Sequence, residues 1–358
     1  MKFVYVSKNG NRCGYAILEH LLNAGFTPMA VILPRTLTPN PFDDTSTAAS
    51  ELNNYTAEVK RLNGRRLRFT KSLKLLAESN SVPVFHFESI KTLDAWTCLS
   101  MLAPDLIVLG GGWHELIPQK IISLPRLGVL NTHPSLLPDF RGRDVHRWQI
   151  AAGVEKSGVT IHYIEEYFDS GDIVEQAVVN VSPNDSAHDL IEKIAHISGP
   201  IMESVIRRIL AQTPEKLKGH VQIAKNDSNR YFGRWRWESQ DFLKITWRLS
   251  ANELSRFIRA CSQESFKYNG PHTVCNGIKF IIRDAETTAL KTKLYPGVII
   301  GKSSDDLLVS TGSHIALKLK TIQLATDKGW PEEPNSARAY RAIKALENLN
   351  IKIGDCLT

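Results

Sequence analysis

Short β-rich runs alternate with helix-like stretches through the first half of this chain. The β-rich runs span only a few residues each and are KFVYVS, PMAVILP, PVFHF, DLIVLGG and GVLNTH. The longer stretches between them have helical character and are GYAILEHLLNAG, TKSLKLLAES and TLDAWTCLSML. This alternation predicts an α/β fold in which right-handed βαβ units build a parallel sheet. Ligands of such sheets bind beyond the carboxyl ends of the strands, so we expect a site there.

The pattern changes after the fifth strand. The run GVTIHYIEEYFDSGDIVEQAVVNV alternates as a β-hairpin, and the long helix that follows begins with a capping pair, Ser186 and Asp189. Periodicity is then lost across KGHVQIAKNDSNRYFGRWRWES, which predicts a link between domains. We therefore predict a first domain over 1–215 and a linker over 216–240.

The remaining residues, 241–358, read as a smaller β-rich domain. Ser250 and Glu253 have the spacing of a second helix cap, and Asn276-Gly277 predicts the turn of a hairpin. Several short strands follow, including PGVIIG, DLLVS and IALKLKTIQL. These features predict a small β-barrel with one or more helices, an oligonucleotide-binding (OB-like) barrel being one candidate.

Length and composition limit the class of protein. A chain of 358 residues is too long for one ordinary core, which agrees with two domains. Its five cysteines are scattered without a C-x-x-C pair, so we expect reduced thiols, a cytoplasmic location and no metal site. The start of the chain reads as a strand rather than a signal peptide, and no apolar run is long enough to predict a membrane span.

The net charge of +7 is spread unevenly. From Asp227 to the end there are 20 Lys and Arg against 14 Asp and Glu, so this part carries most of the excess. Such asymmetry indicates that the C-terminal part meets an anion, although an ordinary solvated surface explains it as well.

The most distinctive motif is LNTHPSLLPDFRGRD, where the fifth strand runs into a rigid turn. Asn131 supplies an amide N–H and His133 an imidazole, and together they can stabilise an oxyanion on a carbonyl. Asp169, in YFDSGD, lies on a loop expected to fold back beside that strand, where it would orient the imidazole. No Ser or Cys nucleophile with a base accompanies them, so the attacking group would come from the substrate. That pattern indicates acyl transfer to an amine.

Two long motifs, LNTHPSLLPDFRG and SGVTIHYIEEYFDSGDIVEQ, resemble those of the 10-formyltetrahydrofolate-dependent formyltransferases. The resemblance covers most of residues 1–215, and ITWRLSANELSRFIRACS is similar to the C-terminal domain of some members. It implies a Rossmann-like catalytic domain, 10-formyltetrahydrofolate as co-substrate and no metal. It also implies that Asn131, His133 and Asp169 are catalytic. Asp172 stands three residues after Asp169, and we expect it to cap or anchor the turn, a common role for Asp in such loops.

The same resemblance implies a folate pocket with two walls. LGGGWHELIP is similar to the loop that cradles the pterin, and IEEYFD is similar to the opposing wall. The residues implied in folate binding are Gly111, Trp113, Leu116, Ile117, Ile164, Glu166 and Phe168. Glycines suit this position because backbone must approach a flat ring closely, although a plain tight turn also explains them.

The sequence points to the acceptor amine less directly. Basic residues between Lys60 and Lys74 form either a solvated loop or a phosphate-binding arm, and SKNGNRCG partly resembles the phosphate loop of the glycinamide ribonucleotide enzyme. RGRDVHR stands where methionyl-tRNA formyltransferases usually have Arg-Gly-Ala-Ala-Pro-Ile, which favours a small acceptor. The predicted acceptor-binding residues are Asn9, Gly10, Arg65, Arg66, Arg141 and Arg143.

We therefore predict an N-formyltransferase acting on an amino-sugar nucleotide or another small amine, with methionyl-tRNA as the alternative acceptor. A formyltetrahydrofolate hydrolase would use the same triad on water, and an RNA-binding module would bind without turnover. We expect no membrane partner and allow for a homodimer.

Overall fold

The computed structural model describes residues 1–35, 72–113, 115–212, 216–223, 231–236, 239–262, 270–303, 306–324, 339–341 and 351–358. They divide into two compact units. One contains Met1–Val145, Lys156–Asn180 and Ile191–Phe232; the other contains His146–Glu155, Val181–Leu190 and Gly233–Thr358. These units are discontinuous along the chain, whereas the predicted domains are continuous. The boundaries at 215 and 241 therefore stay a prediction.

The first unit is built on a mixed seven-stranded sheet. Its strands are β1 (Phe3–Val6), β2 (Ala30–Pro34), β3 (Val84–Phe87), β4 (Leu106–Leu109), β5 (Val129–His133), β7 (Lys156–Tyr163) and β8 (Ile173–Asn180), while β6 (Arg141–Gly142) pairs separately with β9 (Tyr231–Phe232). The sheet order is β3-β2-β1-β4-β5-β7-β8. The first five strands are parallel, and the hairpin β7–β8 adds antiparallel to β5. The predicted α/β fold is confirmed, and the hairpin extends its parallel sheet.

Helices fill the connections between the strands, including those over GYAILEHLLNAG, TKSLKLLAES and TLDAWTCLSML that the sequence predicts. They are α1 (Arg12–Asn23), α2 (Leu73–Ser79), α3 (Leu93–Leu102), α4 (Gln119–Ile122), α5 (Val145–Ala152) and α6 (Ala187–Ala211). On α1 the buried side chains Cys13, Ile17 and Leu21 recur every fourth residue, which gives the helix one apolar face. Ser186 and Asp189 exchange hydrogen bonds at the start of α6, as predicted for a capping pair.

The second unit contains the β-rich C-terminal region. Its elements are α7 (Gln240–Leu243), α8 (Ala251–Ala260), β10 (His272–Cys275), β11 (Ile278–Lys291), β12 (Ile299–Ser303), β13 (Asp306–Val309), β14 (Ile315–Leu324) and β15 (Ala339–Arg341). The strands form an antiparallel half-barrel, so the barrel-type prediction is confirmed. Ser250 and Glu253 form a complete capping box. Asn276 and Gly277 both have positive φ, as the predicted hairpin turn requires.

None of the helices within the described residues is long and apolar enough to span a membrane. All five cysteines are unpaired.

Candidate functional site

The site lies at the carboxyl end of β5, where a parallel sheet is expected to bind ligands. Register with β7 sets Asn131 opposite His162 and His133 opposite Thr160. His133 and His162 are both buried, while Asn131 is partly exposed. The antiparallel hairpin therefore brings a second histidine against the Asn-x-His motif.

The turn after β5 is fixed by buried hydrogen bonds. Thr160 donates its hydroxyl to the Ser135 carbonyl at 2.6 Å and accepts the Leu137 amide at 3.1 Å. Gln176 on β8 donates to the Leu137 carbonyl at 2.9 Å and to the Thr160 hydroxyl at 2.8 Å. The peptide bond between Leu137 and Pro138 is cis. Two neighbouring strands thus hold the turn that the prolines in the motif indicate.

His133 has an oxygen atom facing each ring nitrogen. Its Nε2 donates to the Phe140 carbonyl at 2.8 Å, and its Nδ1 lies 3.4 Å from Asp169 Oδ1. The Phe140 carbonyl can only accept, so Nε2 carries a hydrogen, and a protonated imidazole would also form an ion pair with the Asp169 carboxylate. Phe140 and Asp169 both have positive φ, a costly conformation for residues with side chains. Both residues that face the ring nitrogens of His133 therefore have a strained backbone conformation.

Asp169 connects the hairpin loop to the segment after the turn. Its Oδ2 accepts the Gly142 amide at 2.9 Å, and its Oδ1 also lies 3.7 Å from His162 Nε2. Asp172 lies further along the same loop, where its carbonyl accepts the Tyr163 amide at 2.9 Å. The structure brings Asn131, His133 and Asp169 together, and it is Asp169 rather than Asp172 that faces the imidazole.

His162 is a neutral histidine that orients Asn131. Burial lowers its pKa to about 4, and the opposing effect of Asp169 does not overcome it. Nδ1 donates to the Tyr163 carbonyl at 2.8 Å, so Nε2 is left to accept the Asn131 amide at 3.0 Å. His162 lies on the predicted hairpin, but its role could not be predicted from the sequence, because only the register of β7 against β5 places it opposite Asn131.

We expect His162 to weaken the fold in acid. Its folded pKa of about 4 lies below the ordinary 6.5, so the unfolded chain binds the proton first as pH falls. This contribution to stability is complete above about pH 6.5 and is lost as pH falls toward 4, and it amounts to about 3 kcal/mol. Urea unfolding of the wild type and His162→Gln at pH 7, 5.5 and 4.5 measures it. Equal losses of stability in both proteins would contradict the prediction.

The two predicted folate walls meet in one hydrophobic cluster. Ile117 is buried in this cluster, and Trp113 and Ile164 pack against it. The Trp113 indole N–H is buried without an acceptor among the described residues. Gly111 has φ +84° and a Cβ there would lie 3.3 Å from the Thr132 carbonyl oxygen, so this turn requires glycine. An apolar cluster with a buried donor that has no acceptor among the described residues suits a flat, polar-edged ring.

The other predicted folate residues lie at the surface of this region. Leu116 and Phe168 are exposed, at 38% and 39%, and Glu166 is exposed as well. Phe168 lies 6.1 Å from the Tyr231 ring, measured between centroids. Three of the predicted wall residues therefore belong to the hydrophobic cluster or pack against it, and these other three are exposed to solvent.

Four of the six predicted acceptor residues lie within the described part of the chain. Asn9 accepts the Leu73 amide at 2.8 Å, and Gly10 forms part of its turn with φ +80°. Arg141 donates through Nε and Nη2 to the Gln222 side-chain oxygen, at 3.1 and 2.6 Å. Arg65 and Arg66 lie outside the described residues, as does the rest of 36–71, which contains most of the basic stretch between Lys60 and Lys74.

Arg143 lies close to a further residue that sequence reasoning missed, Tyr231. Burial raises the pKa of the Tyr231 phenol, the Asp169 carboxylate adds to the rise, and the Arg143 guanidinium opposes it. Tyr231 is 46% exposed, so its ring is accessible from solvent. Within the described part of the chain, no cluster of His, Cys, Asp and Glu could hold a metal ion.

Comparison with known proteins agrees with this geometry. Residues 56–206 match the family described as Formyl transferase, and residues 239–332 match Formyl transferase, C-terminal domain. The methionyl-tRNA formyltransferase of Pseudomonas fluorescens is 32% identical over 72% of this chain and 75% of its own length. That of Chloroflexus aurantiacus is 30% identical over 85% and 93%.

A solved structure shares the fold over most of the chain. The N-formyltransferase of Helicobacter canadensis, in complex with folinic acid and dTDP-3-aminofucose, has a TM-score of 0.62 and 21% identity. The match covers 89% of this chain and 99% of that one. At this identity the likeness concerns the fold.

Proposed function

Because this chain belongs to the formyl transferase family and is a folate-dependent formyltransferase, we propose that its acceptor is the primary amine of a small molecule, an amino-sugar nucleotide being favoured. One observation carries the reaction: Asn131, His133 and Asp169 converge at the end of β5. An amide donor, a cation and a carboxylate are the groups that acyl transfer to an amine needs.

Each of the three groups has its own role in this proposal. Bound 10-formyltetrahydrofolate supplies the formyl group. Asn131, held by neutral His162, has a second amide N–H to give to the formyl oxygen as negative charge develops there. His133 contributes positive charge, and its Nε2–H reaches that oxygen by exchanging the Phe140 carbonyl for it. The amine nitrogen would attack the formyl carbon, and the bond from that carbon to the folate nitrogen would break. Asp169 holds the imidazole and assists removal of the proton that the amine loses, and the leaving tetrahydrofolate nitrogen gains a proton in exchange.

The fit to the folate ring rests on Trp113, Ile117 and Ile164. Their shared hydrophobic cluster offers an apolar surface, and the unpaired Trp113 N–H offers a donor to the ring edge. These features support the predicted use of 10-formyltetrahydrofolate. Replacing Trp113 would raise the KM for the folate more than it lowers kcat.

A small acceptor is supported by the groups around Asp169. Arg143 provides a positive charge and Tyr231 a partly exposed aromatic ring beside the carboxylate. A nucleotide sugar offers phosphates for such a cation and flat rings for such a side chain. Methionyl-tRNA is the second candidate, favoured by the similarity of this chain to the two methionyl-tRNA formyltransferases and by its basic C-terminal part.

A panel of amines tests this choice. The protein is incubated with 10-formyltetrahydrofolate and amino-sugar nucleotides, other small amines or methionyl-tRNA, and the formylated product is identified by mass spectrometry. We expect turnover with an amino-sugar nucleotide. Turnover with methionyl-tRNA alone would replace the favoured acceptor, and formate release without any amine would identify a hydrolase.

Salt dependence gives a second test of the acceptor. Each phosphate contact contributes about −0.7 to −0.9 to the slope of log affinity against log salt. A nucleotide sugar with two phosphates therefore predicts a shallow slope, and tRNA, which engages several phosphates, a steep one. We expect a slope shallower than about −3 when kcat/KM is measured over a range of KCl concentrations. A steeper slope would favour tRNA.

A further inference from the structure

After α6 the chain forms a short extended segment over 219–222, which lies beside the loop that carries Asp169. His220 and Ile173 exchange both backbone hydrogen bonds at 2.8 Å, which fixes the segment beside the start of β8. Gly219 lies against Asp172 so closely that a Cβ there would be 2.5 Å from the Asp172 Cβ. This close approach brings the next side chains of the segment against the loop that carries Asp169.

Gln222 uses its whole side-chain amide at this place. Its Nε2 donates to the Asp169 carbonyl at 2.9 Å and to the Gly171 carbonyl at 2.7 Å. Its Oε1 accepts from Nε and Nη2 of Arg141. Arginine has only donors and carbonyls only accept, so the amide fits in one orientation. No other arrangement of this side chain satisfies all four contacts.

Gln222 binds both segments that position the Asp169 carboxylate: the 169–171 loop and the strand β6. Asp169 belongs to the loop that Gln222 grips by its carbonyls. Arg141 precedes Gly142, whose amide donates to Asp169 Oδ2 at 2.9 Å. The loop needs such support because Asp169 has φ +53°, a conformation that a side chain disfavours. Gln222 thus connects the backbone of Asp169 to β6, the strand whose Gly142 amide binds the Asp169 carboxylate.

We propose that Gln222 is a positioning residue for formyl transfer, which sets the carboxylate of Asp169 against His133 by clamping the 169–171 loop to Arg141. This role rests on the proposed function of the Asn131, His133 and Asp169 site. Gln222 acts through Asp169 and touches no reacting atom in this scheme. Misplacement of a catalytic group by about 1 Å can cost about 100-fold in rate, so the effect belongs in kcat.

Two substitutions distinguish the hydrogen bonds that Gln222 donates to the loop carbonyls from those that it accepts from Arg141. Gln222→Leu removes every hydrogen bond of the amide. Gln222→Glu keeps an acceptor for Arg141 but places carboxylate oxygens against the Asp169 and Gly171 carbonyls, which repel them. Val221→Ala is the matched control, because Val221 is the neighbour in the same segment and is 74% exposed.

We expect both Gln222 variants to lower kcat by about 10- to 100-fold, with KM for the folate and the amine within about twofold of wild type. Hydrogen exchange of the peptide containing 167–172 should accelerate at least about fivefold in both variants. Val221→Ala should leave kcat and exchange unchanged. Near-normal kcat in Gln222→Glu would overturn the proposal, and so would a fall in melting temperature with unaltered kcat.

Hydrogen exchange keeps this proposal separate from the proposed function. A wild-type protein that formylates no amine and hydrolyses no folate would refute the proposed function, while accelerated exchange would still report the grip of Gln222 on the loop. Unchanged exchange in both Gln222 variants would refute the clamp, whatever the wild-type activity.

Discussion

We expect replacement of His133 by Ala to lower kcat for formyl transfer by about 10²–10⁴-fold, as when an oxyanion donor or general acid is lost. The ring faces Asp169 with one nitrogen and the Phe140 carbonyl with the other. Its removal therefore deletes the only described side chain at the site that can carry a positive charge between these two oxygens. Folate binding should persist, because Trp113 and Ile117 lie in a separate cluster.

A second variant separates charge from structure. His133→Gln can still donate to the Phe140 carbonyl but cannot become a cation, so kcat should fall nearly as far as in His133→Ala. His86→Ala is the control, since His86 lies on the edge strand β3, remote from β5 in the sheet order. Steady-state kinetics and folate titration by fluorescence measure the effects. Near-normal turnover in His133→Ala would refute the proposed chemistry.

The fold could be predicted because its signals are local. Each strand of the parallel sheet is a short β-rich run, and both capping pairs lie three residues apart, so the pattern needs no knowledge of distant contacts. Helix α4, over Gln119–Ile122, is too short to show a periodicity and was not predicted. The domain limits are harder still, because residues that belong to one unit return from distant parts of the chain.

The candidate site could be predicted only in part, because some of its contacts join residues that are far apart in the sequence. Asn131 and His133 are two residues apart on one strand, so their partnership is visible in the sequence. His162 becomes their neighbour through strand register, and Gln222 lies 53 residues from Asp169 along the chain. Arg141, predicted to bind the acceptor, is engaged by Gln222, a contact that no local pattern indicates.

Asp169 and Asp172 are expected to contribute very differently to kcat. Asp169 Oδ1 faces both histidines, whereas Asp172 contacts Tyr163 through its backbone and lies against Gly219. An amide at position 169 can still accept the Gly142 amide through its oxygen. Its NH₂ group would then face the His133 nitrogen in place of a negative charge, so the imidazolium would lose its partner.

We therefore expect Asp169→Asn to lower kcat by about 10²–10⁴-fold with little change in melting temperature, because its bulk and one hydrogen bond persist. Asp172→Asn should keep kcat within about threefold and mainly lower stability, since Asp in such loops commonly anchors the turn. Steady-state kinetics and thermal unfolding of both variants, measured side by side, distinguish the two roles. An inactive Asp172→Asn beside an active Asp169→Asn would mean that the wrong carboxylate has been assigned to His133.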